Sequence, residues 1–349
     1  MPNIVMLMAD EHNPLYASVY GHPYVKTPNM ERLARMGTVF QNAYCNSPLC
    51  TPSRSAFLSG KPVHQIQVYN NCNVVSFEYP SYGQRLREQG VHTVHIGRTD
   101  AWNHSGTLGF SEMLLPIDKE APGDTNFRRA PLSIRRDGSK RANGYGPREH
   151  AFDTDIMNVE RGIEWLTRSA PGLRQPWTLA VNIGAPHFPH YVTQELWDLY
   201  PEGGDLPEFG VDRETAQHPY AQDIRDHFQL EAFSEEQIRG LRRGYLGCVT
   251  FVDEQLGKLL DTLESNGQLE DTVVVYTADH GEMLGKFGMW WKCSLYEDSV
   301  RIPLIAAGPG FKQGARCEAP VTLFDLQASI CKAVNKSRPD EWWGRDLGS

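Results

Sequence analysis

No run of apolar residues in this chain approaches the ~20 that a membrane-spanning helix requires. The apolar stretch near the start, "NIVMLMAD" (residues 3–10), has no basic segment before it and meets acids at once, so it reads as a buried strand rather than a secretory leader. Positive charge is in short supply: 34 Lys and Arg against 43 Asp and Glu leave a formal net charge of −9. Nucleic acid and acidic membrane surfaces therefore find no overall attraction, and an anionic substrate would have to be drawn in by local positive charge. Paired cysteines are missing as well. The seven cysteines are irregularly spaced with no C-x-x-C, which argues against a disulfide framework and points to a reducing compartment, the cytoplasm. No internal repeat and no linker-like shift in composition divides the chain, so a single domain over residues 1–349 is expected.

What is present is an alternation of strands and helices. "NIVMLMAD" is a strand. "TPNMERLARMG" offers Thr27 as N-cap, Pro28 in the first turn and Gly37 as the stop of a helix. "TVFQNAY" is a strand, "PSRSAFLSG" a short helix ending at Gly60, "YPSYGQRLREQG" a helix and "VHTVHIG" a strand. The order continues with a helix in "FDTDIMNVERGIEWLTRS", a strand in "WTLAVNI", and a long helix from Ser234 to Asn266-Gly267 with Glu235 and Glu236 in its first turn. Strands in "DTVVVYTADHG" and "IPLIAAG" and a helix in "LFDLQASICKAVN" complete it. This order predicts an α/β fold with a large, mostly parallel sheet flanked by helices. Two stretches, 117–150 and 201–233, read as irregular insertions. The first carries Arg128, Arg129, Arg135, Arg136, Lys140 and Arg141, which fits either a lid over a pocket for a polyanionic substrate or a solvated surface loop.

Two strands end in groups that ligate hard cations: Asp10-Glu11 after the first, Asp279-His280 after "TVVVYTA". The C-terminal ends of parallel strands converge on one edge of the sheet, where ligands bind. Either pair alone fits an N-capping acid with a stray histidine. Matching positions on two strands favour a site for Ca²⁺, Mg²⁺ or Mn²⁺. Cys50 stands at the start of a short helix, and three readings are open for it: a buried core thiol, a thiolate activated by the helix N-terminus, or a precursor of something else.

The residues around Cys50 bear on that choice. Cys50-Thr51-Pro52-Ser53-Arg54 fits C-x-P-S-R, with Gly60-Lys61 downstream, and this resembles the signature of the sulfatase family of the alkaline phosphatase superfamily. The likeness extends along most of the chain: "NIVMLMADEH", "KTPNMERLARMGTVFQNAYCNSPLC", the histidine loop "GAPHFPH", and "VVVYTADHGEMLGKFGMWWKCSLYEDSVRIPLI". "SPLC" and "VYNN" are more similar to its choline-sulfatase and phosphonate monoester hydrolase members than to its lysosomal ones.

The resemblance implies an alkaline-phosphatase-like three-layer sandwich and a Cys50 oxidised to formylglycine by a maturase. One hydroxyl of the hydrated aldehyde attacks sulfur and the second later expels sulfate. It implies a divalent cation, Ca²⁺ foremost, on Asp10, Glu11, Asp279 and His280, with Glu11 standing where relatives carry either a ligand or a non-ligating residue. Arg54 is expected to hold the formylglycine hydroxyl, and Asn71 to donate to the transferred group. His187, with His190 as a weaker second, and Lys292 are expected to contact the sulfate and the leaving oxygen. The bland counterparts are an ion pair for Arg54, a turn for Asn71, a structural role for the histidines and a solvated Lys292.

Two departures stand against this pattern. Where most relatives have G-K-x-H, this chain has Gly97-Arg98-Thr99-Asp100. Arg98 keeps the charge and adds a planar fork for two oxygens. Asp100 reverses the sign. It either orients Arg98 or His187, acts as an acid of raised pKa, or reads a cationic group on the substrate. The second departure is that the chain stops at Ser349, where relatives continue into a small C-terminal subdomain; an uncovered flank there would favour homo-oligomers. The leading expectation is hydrolysis of a small anionic sulfate ester. Phosphonate monoester or phosphodiester hydrolysis on the same scaffold, a non-catalytic metal-binding relative, and a cysteine hydrolase pairing Cys50 with His187 are the competing ones.

Overall fold

Stretches rich in Val, Ile, Leu and Met with no polar interruption suit strands covered on both faces, and they form the centre of the protein. The computed structural model describes residues 1–72, 78–101, 108–117, 133–135, 137–200, 205–208 and 218–348. Thirteen strands occur among them: β1 (Asn3–Asp10), β2 (Gly37–Phe40), β3 (Ala43–Tyr44), β4 (His92–Arg98), β5 (Glu112–Ile117), β6 (Tyr145–Pro147), β7 (Trp177–Pro186), β8 (His190–Val192), β9 (Thr272–Ala278), β10 (Arg301–Ile302), β11 (Leu304–Ala307), β12 (Ala315–Cys317) and β13 (Val321–Thr322). Eight of them make the main sheet, in the order β12-β2-β11-β9-β1-β7-β4-β5. The run from β9 to β5 is parallel, and β11 is antiparallel to both its neighbours. The sheet is thus mostly parallel, as expected. "TVFQNAY" is not one strand but two, β2 in the main sheet and β3 in a small three-stranded sheet with β10 and β13.

The helices are α1 (Pro28–Met36), α2 (Cys50–Ser59), α3 (Val63–Ile66), α4 (Tyr82–Glu88), α5 (Asp153–Arg168), α6 (Gln194–Asp198), α7 (Pro219–Phe228), α8 (Glu235–Ser265), α9 (Glu297–Val300) and α10 (Leu323–Ala333). Strand alternation sends neighbouring side chains to opposite faces. On β7, Val181 lies toward α5 and α8, and Gly162 of α5 is placed so that a Cβ there would touch Val181 and Leu259. The next residue, Asn182, lies toward Arg54 of α2. Helices therefore cover both faces, giving three layers.

Two details correct the sequence reading. Thr27 precedes α1, but its side chain makes no cap bond and pairs with Ser18 instead. The free amides of Asn29 and Met30 are taken by Asp253 of α8, at 3.0 and 2.7 Å. The stretch 201–233 is also not irregular throughout, since it contains α7. Phe228 and Ile224 of α7 join Leu241 and Tyr245 of α8 and Trp290 and Trp291 in a second apolar cluster. In the first insertion, the described part forms a 3-10 turn over Gly138–Asn143 and strand β6, which pairs with β8. Arg128, Arg129 and Arg136 lie outside the described residues.

Candidate active site

Four neighbouring parallel strands, β9, β1, β7 and β4, deliver the chemistry from their C-terminal ends. The register pairs Ala9 with Ala278, so Asp10 and Asp279 emerge side by side. β7 leads into His187, and β4 ends at Arg98 with Asp100 two residues on. α2 points its first residue, Cys50, into the same space.

On one side of the floor lie Asp10, Cys50, Asp279 and His280, all buried, with their ligand atoms within 4.8 Å of one another. Cys50 Sγ is 3.2 Å from His280 Nε2 and 3.6 Å from Asp10 Oδ1. His280 Nδ1 donates to the Gly281 carbonyl at 2.9 Å, which leaves the Nε2 lone pair facing the carboxylates. Such crowding of carboxylates away from water requires compensating cations. Arg54 supplies one, its Nε on Asp279 Oδ2 at 2.7 Å and its Nη2 3.5 Å from Asp10. Arg98 supplies another, 3.0 Å from Asp10 Oδ2. Burial alone would raise Asp10, but Arg98, His187 and Arg54 pull it well below the usual carboxylate range. Burial and the Asp10 carboxylate push the Cys50 thiol up, so the thiolate required of a cysteine nucleophile is disfavoured.

The other side of the floor is built on Glu11, whose φ of 67° is held by Tyr245 of α8, donating to the Glu11 carbonyl at 2.9 Å, and by Asp279, accepting from the Glu11 amide at 3.1 Å. Glu11 Oε2 lies 2.9 Å from Lys292 Nζ and 3.2 Å from His187 Nε2. Lys292 Nζ also reaches His187 Nε2 at 2.5 Å, while His187 Nδ1 bonds the Phe188 carbonyl. Burial works against both charges, yet His187 and Lys292 hold Glu11 down to about 2, and the Glu11 and Asp10 carboxylates hold Lys292 above its ordinary value. Glu11, Asp10 and His187 form a second group of convergent ligands.

Asp100, at φ 49°, bonds Arg98 Nε and lies 3.9 Å from Arg54. This is the geometry of the first of its three readings, an acid that orients Arg98. Asn71 Oδ1 accepts from the Thr51 amide at 3.0 Å, so the asparagine is pinned to the first turn of α2 with its NH₂ left to donate. His190 is set apart: its Nδ1 bonds the Leu241 carbonyl, its ring meets Tyr245 edge-on, and burial lowers it to about 4, a structural histidine. A cavity of about 330 Å³ opens beside the floor, lined by Arg98, His187, Arg148, His150, Asp153 and Tyr191 among others.

Three supporting residues escaped the sequence reading. Asp155 accepts from the Gly184 and Ala185 amides at 2.7 and 2.8 Å and so fixes the turn that carries His187. Asn182 accepts from Arg54 at 3.1 Å. Glu282 accepts from the Leu284 and Trp291 amides, and burial beside Glu11 raises it well above the usual carboxylate range. Only Glu282 carries a local signal, as a further acid in "DHGE"; the other two sit in ordinary helix and strand patterns.

The group Asp10, Cys50, Asp279 and His280 fits a divalent cation: convergent oxygens, an imidazole lone pair fixed toward them, and excess buried negative charge nearby. Choline-sulfatase of Rhizobium meliloti (strain 1021) is 30% identical over 346 residues, covering 94% of this chain and 67% of that protein. Arylsulfatase K of Danio rerio is 27% identical over 348 residues, covering 94% and 64%. The chain thus spans about two thirds of the length of these relatives. In fold, it superposes on the phosphonate monoester hydrolase of Agrobacterium radiobacter with a TM-score of 0.81 at 22% identity, over 99% of this chain and 76% of that one. The profile of the Sulfatase family matches residues 2–336, and the chain belongs to that family.

Proposed function

We propose that this protein hydrolyses sulfate monoesters, with Cys50 converted to formylglycine and a divalent cation, Ca²⁺ foremost, held by Asp10, Asp279 and His280 beside residue 50. The observation that carries the reading is the convergence of Cys50, at the first residue of α2, with two carboxylates and an imidazole lone pair. When bound, the cation supplies positive charge to the oxygens of an anionic ester.

The chain's own residues do the rest. Arg54, locked by Asp279 and Asn182, keeps the buried carboxylates compensated and the floor rigid. Arg98, oriented by Asp100, Lys292 and the amide of Asn71 surround the space in front of residue 50 with donors for a sulfuryl group. The Lys292 Nζ–His187 Nε2 hydrogen bond holds the proton that a departing alcohol oxygen needs, and Glu11 keeps Lys292 charged. The cavity beside Arg98 and His187 gives that alcohol room.

The test is co-expression with a formylglycine-generating enzyme, followed by mass spectrometry of the peptide containing Cys50 and assay with 4-nitrophenyl sulfate and 4-nitrophenyl phenylphosphonate. Loss of roughly 18 Da at Cys50 and faster turnover of the sulfate support the reading. Preference for the phosphonate moves the assignment to phosphonate monoester hydrolysis. An unmodified, inactive protein overturns it in favour of a metal-binding relative without catalysis.

A further inference from the structure

Among the described residues, the basic stretch singled out in the sequence meets the site at Arg141. Arg141, half-buried at the end of the 138–143 turn, stacks its guanidinium on three rings: Trp291 at 4.8 Å, Phe188 at 5.4 Å and Phe228 at 5.6 Å from the ring centroids. Two of these rings flank the proton-holding pair, since Phe188 follows His187 and Trp291 precedes Lys292. Arg135 lies over Phe228 at 5.9 Å.

Neither guanidinium forms an ion pair or a side-chain hydrogen bond among the described residues, and Arg135 adds to the cost of charging Arg141. Burial lowers the pKa of Arg141, and so does Arg135. The acid that acts on it, Glu11, is committed to Lys292 and His187. Cation–π contact offsets part of such a penalty but leaves the N–H donors of the fork unused. A third donor is idle in the same place: the indole Nε1 of Trp291 is buried and has no hydrogen-bond partner among the described residues. Guanidiniums left without carboxylates, beside an unused N–H donor, next to a reaction centre, are the elements of a site for an anion.

We propose that Arg141, assisted by Arg135 and the Trp291 indole, forms a second anion-binding subsite beside the reaction centre, and that the substrate is a sulfate ester whose alcohol part carries its own carboxylate or a second sulfate. This rests on the sulfate-ester reading above and narrows it. Arg141 is a specificity-determining residue in this account; it binds the far end of the substrate and takes no part in bond breaking.

The test separates binding from turnover. Calorimetric titration of the Cys50→Ala protein, in Ca²⁺, uses D-glucose 6-sulfate with one charge, D-glucosamine 2-N,6-O-disulfate with two sulfates, and D-glucuronate 3-sulfate with a carboxylate. A dianionic ligand is expected to bind about 10-fold tighter or more than glucose 6-sulfate, the scale of a charge-assisted hydrogen bond. Adding Arg141→Gln should bring that ratio to within about twofold, Arg141→Lys should keep part of it, and Arg135→Gln should lower it less. Preference for the disulfate alone assigns a second sulfate; preference for the uronate alone assigns a carboxylate. Thermal unfolding of each variant checks that it is folded. A ratio near one before substitution, or the same ratio in all folded variants, overturns the proposal. If the ratio behaves as expected but the matured Cys50 protein releases sulfate from none of the esters, the subsite stands and the hydrolytic reading fails.

Discussion

At the floor of the site Arg54, Arg98 and Lys292 each lie against a carboxylate, whereas at the rim Arg135 and Arg141 lie against aromatic rings. Both regions bury positive charge, but they solve the problem differently. The floor closes most of its charge within the chain and leaves the lone pairs of Asp10, Asp279 and His280 for a cation. The rim leaves its cations open and so asks for an anion. Their origins differ too. The floor is made by register in a parallel sheet, which places residues far apart in sequence at equivalent strand ends. The rim is made by packing of four separate segments, around Arg141, Phe188, Phe228 and Trp291, the first two tied by the short β6–β8 pairing.

Substitutions at the floor should have the larger effects. Cys50→Ala is expected to lower kcat/KM by about 10⁴-fold or more, the scale seen when a nucleophile is removed, with little change in Tm. A variant that retains a tenth of the activity would remove residue 50 from the reaction. Excess Ca²⁺ should raise Tm by roughly 3 °C or more, since a ligand at about 100 times its Kd adds about 2.7 kcal/mol. Asp279→Asn should abolish that increment, and the increment is the quantity to compare, because Asp279 also anchors Arg54. An unchanged increment would place the cation elsewhere.

Lys292→Met tests the junction between floor and rim. It should lower kcat about 10²-fold on an alkyl sulfate, and less on 4-nitrophenyl sulfate, whose alcoholate departs without a proton. Equal losses on both would assign Lys292 to sulfate binding alone. The Arg141 variants follow at about 10-fold and act on the selectivity between charged substrates.

The smallest effect concerns the layer beneath the floor. His95, on β4 beside Asn182, is held down to about 4 by burial and by Arg54. Its unfolded value is about 6.5, so between these values the unfolded chain binds a proton that the folded one does not. The contribution of His95 is therefore complete above pH 6.5 and is lost as pH falls toward 4. Asp253, raised to about 6 by burial, has the opposite sign over part of that window, so the wild-type curve alone mixes the two. The stability gap between wild type and His95→Asn in urea isolates the histidine and should narrow from pH 7 to pH 5. A constant gap would mean that His95 is not buried in its neutral form.

Much of the floor is legible before folding. An acid directly after an apolar run marks a strand end, and the C-T-P-S-R string at a helix start marks residue 50. Helix α8 is equally plain, because its capping box and its apolar period are local. The less legible parts are those in which a polar residue serves a distant one. Asp253 looks like one more acid on a helix and caps α1 from 224 residues away. Asp155 looks like a first-turn acid of α5 and instead holds the turn before His187. Asp100 shows how the two meet. Its sign reversal was visible in the sequence, while its contact with Arg98 emerges only from the geometry at the end of β4.

By itself, then, the sequence determined the elements, their order, the family-like strings and the identity of the reactive groups, because each depends on a few neighbouring residues. Tertiary structure alone decided which acids face the cation cluster and which pair with Lys292, and which arginines find a carboxylate and which only a ring. Those outcomes turn on distances of a few ångströms between segments far apart in the chain, and burial makes each such distance count, since a charge away from water must be met by whatever the fold has placed beside it.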